Sequence, residues 1–393
     1  MAKKVGIRLF ALFLIGFPYC VKGINIRWKE LPDLSVGTNR TQGISGAFAG
    51  TIDGILFVAG GANFPNTSVA DGGSKVFYKS VYCLREGSQP NKGWKPCGTL
   101  PYPVGYGVSI TLPNGILCIG GCNTNHKFSN VLLLKWDKQM QHSVVQPLPS
   151  LPFTFDNMTG AKVGNYIYVG GGNANGKACN FCFRLDLGNI KNGWQALASF
   201  PGAPRVQPVG VGQKMNGEDC FFLLGGYTPY SDTIQGTVNT NGYVFIPSLN
   251  RWREIKSPHL FNQDISIAGG SGMAFLNRYI ICFGGVNKTI FRYGLLIDHQ
   301  LMEAKAARNE SEVKRLSSQQ KKYLSHDVQW YQYNPDVLIY DVKLKQWECL
   351  GQTEHTARAG GALITNKKSF IIVGGELKPG IRSANVYQGH IEE

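Results

Sequence analysis

Residues 55–61 read ILFVAGG, a short hydrophobic segment that ends in a glycine doublet. The same pattern recurs along the 393-residue chain at nearly regular intervals. The further copies are ILCIGG at 116–121, YIYVGGG at 166–172, FFLLGG at 221–226, YIICFGG at 279–285 and FIIVGG at 370–375. This repetition predicts an architecture in which each copy contributes one structural unit.

Each unit is predicted to be a four-stranded sheet whose second strand ends at the glycine doublet. In the first unit, SGAFAG at 45–50 provides the first strand and SVYCLRE at 80–86 provides the third. Glycine suits the doublet because the chain turns sharply there, with backbone angles that other residues resist. Tryptophan marks most fourth strands, at Trp94, Trp194, Trp252 and Trp347. Six such units predict an all-β fold, a six-bladed β-propeller of the kelch type.

The two ends of the chain are predicted to meet in one sheet. The last unit has no fourth strand, whereas INIRWKEL at 24–31 has the fourth-strand pattern, with Trp28 in the expected place. We expect it to pair beside residues 385–389 and to close the ring, which removes the exposed edges of an open sheet. Residues 24–393 then form one propeller domain.

The fifth unit carries an insertion. Residues 295–322 are rich in Ala, Glu, Lys and Gln and contain neither Gly nor Pro, a composition that predicts helix. Two roles are open for this segment. It is either a solvated decoration of the propeller or a lid or wall beside the central site.

The N-terminal residues resemble an export signal. The start of the chain, residues 1–8, is basic through Lys3, Lys4 and Arg8, and the apolar run at 9–17 is too short to span a bilayer as a helix. We expect residues 1–23 to be a cleaved signal peptide and the mature protein to be periplasmic or secreted. No later segment has the length and continuity of a membrane helix.

Net charge is +15, which favours anionic partners at long range. Nucleic acid is disfavoured as the partner, because the basic residues are scattered and no recognised nucleic-acid module is present. A positively biased face would also suit a carboxylated sugar. The oligomeric state is left open.

The ten cysteines are irregularly spaced, and we expect them to be mostly free, buried thiols. Pairing of Cys83 with Cys97 across neighbouring strands is left open. Cys179 and Cys182 form a CxxC motif, but no second CxxC or histidine pair accompanies it, so a zinc site is not expected.

Loops that follow the glycine doublets should gather on one face around the central channel, where ligands usually bind. Among them, only GGELKPGIR at 374–382 places an acid directly after the doublet and an arginine shortly behind it. Pro379 and Gly380 favour a turn that would bring Glu376 and Arg382 together. A carboxylate can move the protons needed to open and close a sugar ring, and an arginine can hold a sugar carboxylate. The alternative is a loop salt bridge without function.

Four segments resemble the N-acetylneuraminate epimerase (sialic acid mutarotase) family of kelch propellers. They are GISGAFAG…LFVAGGANFP at 43–65, ASFPGAPRVQ at 198–207, FGGVNKTIF at 283–291 and VGGELKPGIR at 373–382. The GELKPGIR segment is internal in the best-known members and C-terminal here, so the chain is similar to a cyclically permuted branch. A ring tolerates permutation because its termini already meet.

This resemblance implies an isomerase that interconverts the α and β anomers of N-acetylneuraminate, or of a related acidic sugar, with no metal or organic cofactor. It implies that Glu376 transfers the proton and that Arg382 is its functional partner. Further candidates for substrate binding are Arg205, Gln207, Asn287 and Arg40.

Other functions are compatible with the same fold. A non-catalytic kelch propeller that binds a glycan or a protein is the main alternative. A sialidase is disfavoured because its SxDxGxxW turns are absent, and a copper-radical oxidase because the seven histidines are scattered.

Overall fold

The computed structural model describes residues 23–37, 42–85, 93–260 and 262–393. Strands dominate this part of the chain, and two α-helices interrupt them. The strands form six four-stranded antiparallel sheets within the described ranges, together with smaller hairpins. The chain is therefore all-β, as the repeats predict.

The first three sheets follow one another along the chain. The first contains Phe48–Ile52, Ile55–Ala59, Ser80–Arg85 and Lys95–Thr99. The second contains Val108–Leu112, Gly115–Ile119, Val131–Asp137 and His142–Leu148. The third contains Thr159–Val163, Tyr166–Gly170, Cys182–Asp186 and Trp194–Ala196. Each second strand leads into a glycine doublet, as expected.

The remaining three sheets repeat this order, except that the last takes a strand from the N-terminus. The fourth contains Val209–Met215, Glu218–Leu224, Gly242–Ile246 and Arg251–Ile255. The fifth contains Ser271–Phe275, Tyr279–Phe283, Asp336–Asp341 and Gln346–Gln352. The sixth contains Ala362–Asn366, Ser369–Val373, Val386–Glu392 and Asn25–Leu31.

The N-terminal strand closes the sixth sheet in the predicted place. Its register with the C-terminal strand runs from Asn25 opposite Glu392 to Leu31 opposite Val386. Trp28 packs edge-on against Phe370, with 5.4 Å between the ring centroids. The first and last strands of the described chain are therefore neighbours.

Apolar clusters join each sheet to the next. Leu56 and Val58 of the first sheet pack with Ile371 of the sixth, and Phe283 of the fifth packs with Phe370 of the sixth. Four further clusters join the first to the second, the second to the third, the third to the fourth and the fourth to the fifth sheet. The sheets thus follow one another in a cycle, and the core lies between them.

The fourth-strand tryptophans add a polar contact between neighbouring units. The indole N–H of Trp194 donates to the carbonyl oxygen of Pro149 (3.1 Å), and that of Trp252 donates to Ala198 (2.7 Å). Trp94 and Trp347 make the same contact with Pro32 and Lys256. This repeated bond gives the predicted tryptophan pattern a physical reason.

A cycle of six backbone hydrogen bonds lies at the start of the first strands, and we name it the hydrogen-bond ring. Its members are Gly46, Tyr106, Asn157, Gln207, Gly269 and Gly360. Each N–H donates to the carbonyl oxygen of the ring residue from a neighbouring unit, over 2.7–3.0 Å. A cavity of about 610 Å³ extends from this ring along the first strands toward Lys162 and Lys367.

Shorter elements follow the doublets and connect the strands. The hairpins pair Ala62–Asn63 with Val76–Phe77, Phe155–Asp156 with Asn173–Ala174, Asn173–Ala174 with Lys177–Ala178, Tyr227–Thr228 with Thr237–Val238, His259–Leu260 with Gln263–Asp264, and Glu376–Lys378 with Ile381–Arg382. The 3-10 helices are Val69–Asp71, Ile190–Asn192, Pro247–Leu249 and Val328–Tyr331.

The insertion in the fifth unit forms two helices, where the sequence predicts one helical segment at 295–322. They are α1, Lys288–Ala306, and α2, Glu310–Ser325. The break is marked by Arg308, which has a φ of 51°, and by Asn309, whose side chain accepts a hydrogen bond from the N–H of Glu312. An asparagine in this position caps the following helix and starts it anew. Neither helix in the described ranges is long and apolar enough to cross a membrane.

Free thiols in the described ranges are Cys83, Cys97, Cys118, Cys122, Cys179, Cys182, Cys220 and Cys282. Cys118, Cys220 and Cys282 are buried in strands, as expected. Cys97 lies beside Cys83 without a disulfide, and burial, followed by the neighbouring thiol, raises the pKa of Cys97. In the same ranges, no group of three His, Cys, Asp or Glu side chains is placed to hold a metal ion.

Candidate active site

The backbone of Glu376 is fixed by the doublet that precedes it. Gly374 and Gly375 have φ angles of 63° and 98°. A Cβ atom on Gly374 would lie 2.3 Å from the carbonyl oxygen of Ile44, so no larger residue fits there. Glu376 also exchanges two backbone hydrogen bonds with Ala359, of 2.6 and 2.9 Å. The side chain of Glu376 therefore extends from a backbone position that is held rigidly.

Glu376 and Arg382 face each other across the hairpin of the sixth unit. Gly380, in the turn, has a φ of 86°, which a Pro-Gly turn accommodates. Nη1 of Arg382 forms an ion pair with Oε2 of Glu376. The side chain of Arg382 is 4% exposed and that of Glu376 is 21% exposed, so the carboxylate keeps a path to a ligand.

Tyr333 supplies a hydrogen bond to the other oxygen of this carboxylate. Its hydroxyl donates to Oε1 of Glu376 over 3.2 Å. Burial raises the pKa of Tyr333, so the phenol keeps its proton and acts as a donor. Each carboxylate oxygen of Glu376 is thus oriented by a partner, and of the two partners only Tyr333 was not predicted from the sequence.

A second positive charge lies near Arg382. The Arg382 guanidinium stands over the ring of Phe64, 5.4 Å from its centroid. The Lys75 ammonium lies 5.8 Å from the same ring and 4.7 Å from the ring of Tyr106, both typical cation–π distances. Nε of Arg382 is buried and has no hydrogen-bond partner in the part of the chain that the structure describes. These two cations favour a negatively charged ligand.

A buried carboxylate borders the hydrogen-bond ring. Oδ1 of Asp156 accepts hydrogen bonds from the side-chain amides of Asn157 and Asn173, each of 2.7 Å. Gln207 donates to Asn157 in turn (2.9 Å). Oδ2 of Asp156 is buried without a partner among the described residues. It is an acceptor that a hydroxyl group of a ligand could satisfy.

The helical insertion packs beside this site. Lys378, in the Glu376 hairpin, donates to the carbonyl oxygens of Leu324 and His326 at the end of α2. Lys321 of α2 forms an ion pair with Asp71 of the first unit (3.0 Å). The insertion therefore contacts the site hairpin directly, which supports the alternative of a wall beside the site.

The other predicted site residues have different surroundings. Gln207 belongs to the hydrogen-bond ring. Arg205 is 3% exposed, and its guanidinium donates to the backbone of Gly225 and Asn241 (3.2 and 2.7 Å). These contacts describe a structural role, and substrate binding by Arg205 stays a prediction that this geometry does not support.

Asn287 caps α1, because its side-chain oxygen accepts hydrogen bonds from the N–H groups of Thr289 and Ile290 (3.0 and 3.1 Å). That role is the structural alternative for this residue. Arg40 lies outside the described residues.

Sequence reasoning missed Tyr333, Lys75 and Tyr106. Tyr333 follows the insertion and Lys75 lies in a loop of the first unit, where no local pattern marks either of them. Tyr106 had a signal. Alignment of the units at their first strands places it where Gly46, Gly269 and Gly360 stand in other copies, which marks an unusual side chain at a glycine position.

Comparison with known proteins identifies the family of the chain. A family model described as N-acetylneuraminate epimerase matches residues 19–142 and 148–393. The chain belongs to the N-acetylneuraminate epimerase family. The matched range includes Glu376, Arg382, Tyr333, Lys75 and Tyr106.

Curated relatives match part of the chain. The N-acetylneuraminate epimerase of Yersinia enterocolitica is 34% identical over 243 residues, which are 61% of this chain and 57% of that protein. That of Yersinia pestis is 33% identical over 252 residues, 64% of this chain and 59% of that protein. That of Salmonella arizonae is 30% identical over 61% of this chain and 58% of the relative. The chain thus aligns with less than two thirds of each relative's length.

A solved structure described as "Structure of YjhT" has a similar fold. The TM-score is 0.58 at 14% sequence identity, and the match covers 92% of this chain and 99% of that one. At this identity the similarity concerns the fold alone.

Proposed function

We propose that this protein interconverts the α and β anomers of N-acetylneuraminate, or of a related acidic sugar. The proposal rests on one observation, the buried Glu376–Arg382 pair held by Tyr333 in a position that a ligand can reach. Membership of the epimerase family and the names of the curated relatives support it.

The geometry suits ring opening by general acid/base catalysis. The Glu376 carboxylate takes the proton of the anomeric hydroxyl, and the bond between the anomeric carbon and the ring oxygen breaks. Rotation of the open chain and closure on the other face of the carbonyl give the second anomer, and Glu376 returns the proton. The free Nε edge of Arg382 and the Lys75 ammonium supply donors for the sugar carboxylate.

The test is anomer exchange followed by NMR. Glu376→Gln keeps the volume and removes the base, so we expect kcat to fall by about 10²–10⁴-fold. The matched control is Glu354→Gln, an exposed acid in the connection between the fifth and sixth sheets, which should keep the wild-type rate. A wild-type protein that leaves the spontaneous rate unchanged refutes catalysis. If calorimetry then shows sugar binding, the non-catalytic alternative is favoured.

We infer that the six sheets are the blades of a kelch-type propeller closed by the strand Asn25–Leu31. The cyclic order of the apolar clusters and the hydrogen-bond ring support this inference. We also propose a permuted repeat order. It explains why sequence alignments cover at most 59% of the Yersinia relatives while the YjhT fold is matched over 99% of its length.

We further propose that residues 1–23 are a cleaved export signal and that the mature protein is periplasmic or secreted. The basic start and the short apolar run at 9–17 support this proposal. Residues 1–22 lie outside the described part of the chain. N-terminal sequencing of protein recovered outside the cytoplasm should begin near Ile24, and an intact Met1 would refute cleavage.

A further inference from the structure

The six positions of the hydrogen-bond ring share one unusual backbone conformation. All have left-handed φ angles, from 51° at Gln207 to 72° at Gly269. Three positions are glycine, which adopts this conformation freely, whereas Tyr106, Asn157 and Gln207 follow one another in the second, third and fourth units. Residues with side chains are disfavoured there, and such strain concentrates at functional sites.

Tyr106 is the bulkiest of these three residues, with a φ of 60°. Its hydroxyl oxygen is buried beside the Arg382 guanidinium and the Lys75 ammonium, which act on it through their charges and as hydrogen-bond donors. A buried phenol that lies between two cationic side chains beside a candidate site is itself a candidate functional group. The neighbouring position of the hydrogen-bond ring, Gly46, has no room for a side chain, because a Cβ atom there would lie 2.6 Å from Cδ1 of Tyr106.

The electrostatic surroundings of Tyr106 make its proton unusually easy to lose. Burial alone would raise its pKa, but the charges of Arg382 and Lys75 outweigh burial and lower the pKa of the phenol. Tyr227 is a further titratable group near it among the described residues; burial, and then the charges of Asp156 and Tyr106, raise the pKa of Tyr227 to about 12. Tyr106 is thus the acidic phenol of the pair.

We propose that Tyr106 is the second proton-transfer residue of the site and serves the ring oxygen of the sugar, while Glu376 serves the anomeric hydroxyl. Arg382 connects the two, since it pairs with Glu376 and its charge reaches Tyr106. This inference rests on the proposed anomer exchange and adds the group that exchange requires at the opposite end of the breaking bond.

The protons balance in both directions. In opening, Glu376 removes the anomeric proton, the carbonyl forms, and the electron pair of the broken C–O bond stays on the ring oxygen, which takes the proton of Tyr106. In closing, the Tyr106 phenolate takes that proton back as the oxygen attacks the other face of the carbonyl. The protonated Glu376 then returns its proton to the carbonyl oxygen, so no further reactant is needed.

Tyr333 cannot replace Tyr106 in this role. Its hydroxyl is committed to Oε1 of Glu376, and burial raises its pKa. It orients the carboxylate and is a positioning residue, whereas the hydroxyl of Tyr106 lies beside two cations that stabilise its phenolate.

The test compares Tyr106→Phe with Tyr102→Phe. The control residue lies in the same loop, where it stacks on Phe128, and burial raises the pKa of Tyr102 to about 12. Tyr106→Phe should lower kcat for anomer exchange by about 10²–10⁴-fold with KM changed only a few-fold, and should abolish the alkaline limb of the pH–rate profile. Tyr102→Phe should keep both the rate and the profile.

An ultraviolet titration of the tyrosines gives a readout that does not depend on activity. Wild-type protein and Tyr102→Phe should release one phenol proton at lower pH than the rest, and Tyr106→Phe should lack that step. If Tyr106→Phe is poorly folded, Lys75→Met decides, because removal of this cation should move the early step and the alkaline limb to higher pH.

The outcomes separate this inference from the proposed function. If wild-type protein exchanges anomers and Tyr106→Phe keeps its rate and profile, the role of Tyr106 is refuted while the proposed function stands. If Lys75→Met leaves the titration and the profile unchanged, the role of Tyr106 is likewise refuted. If wild-type protein shows no exchange, both proposals fail.

Discussion

The Glu376–Arg382 pair makes a sharp energetic prediction. Arg382 is 4% exposed, so Glu376→Gln leaves a buried guanidinium without a charged partner. Removal of one member of a buried pair costs about 3–5 kcal/mol, and the 21% exposure of Glu376 places the expected loss at the lower end, about 3 kcal/mol.

The reverse change should cost less. Arg382→Met leaves a carboxylate that water can reach and that still accepts the hydrogen bond from Tyr333, so a loss of about 1–2 kcal/mol is expected. With both groups neutral, no uncompensated charge remains. The double variant should therefore be more stable than the sum of the two losses predicts, by a coupling of about 2 kcal/mol.

The assay is urea unfolding of the four proteins of this double-mutant cycle, followed by tryptophan fluorescence. The free energies of unfolding are compared once the four proteins are shown to have equal m values. The control cycle uses Glu312 and Arg315 on α2, whose side chains are 37% and 56% exposed. That solvated pair should show a much smaller coupling. Additive losses at Glu376 and Arg382, with coupling below about 0.5 kcal/mol, would refute the claim that the pair is desolvated.

Two further predictions concern stability. Trp28→Ala removes a half-buried ring that packs against Phe370, so we expect the free energy of unfolding to fall by about 2 kcal/mol in thermal unfolding. An unchanged midpoint would mean that the N-terminal strand adds little to the stability of the sixth sheet. Leu276 has a φ of 51° and is 48% exposed, so Leu276→Gly should raise the free energy of unfolding in urea by about 1 kcal/mol, and a lower value would contradict the strain argument.

The fold was predictable because its determinants are local and repeated. Each hydrophobic strand with its doublet indicates one sheet, and Trp28 identifies the strand that completes the sixth. The insertion was less predictable. Its composition indicates helix, but the break at Arg308 and Asn309 depends on a left-handed residue and a cap that composition does not show.

The site was predictable only in part, because only some of its contacts are local in sequence. Glu376 and Arg382 are close in sequence, and a Pro-Gly turn is enough to pair them. Tyr333, Lys75 and Tyr106 come from the fifth, first and second units, so their approach to the pair depends on how the sheets follow one another around the ring. Arg205 shows the opposite case. Its loop position made it a candidate for substrate binding, but its guanidinium donates hydrogen bonds to backbone carbonyl oxygens.

The candidate site lies beside the sheet in which the first and last strands of the described chain pair, so pairing of these strands should affect the proposed activity. The segment after the N-terminal strand hydrogen-bonds the site hairpin on both sides. Gly375 donates to the carbonyl oxygen of Ile44 (2.9 Å), and Gly43 donates to that of Arg382 (3.2 Å). Because these bonds fix the backbone of the two charged residues, loosening of the strand Asn25–Leu31 should displace Glu376 before the ring unfolds. Trp28→Ala should therefore lower kcat at temperatures at which the variant is still folded.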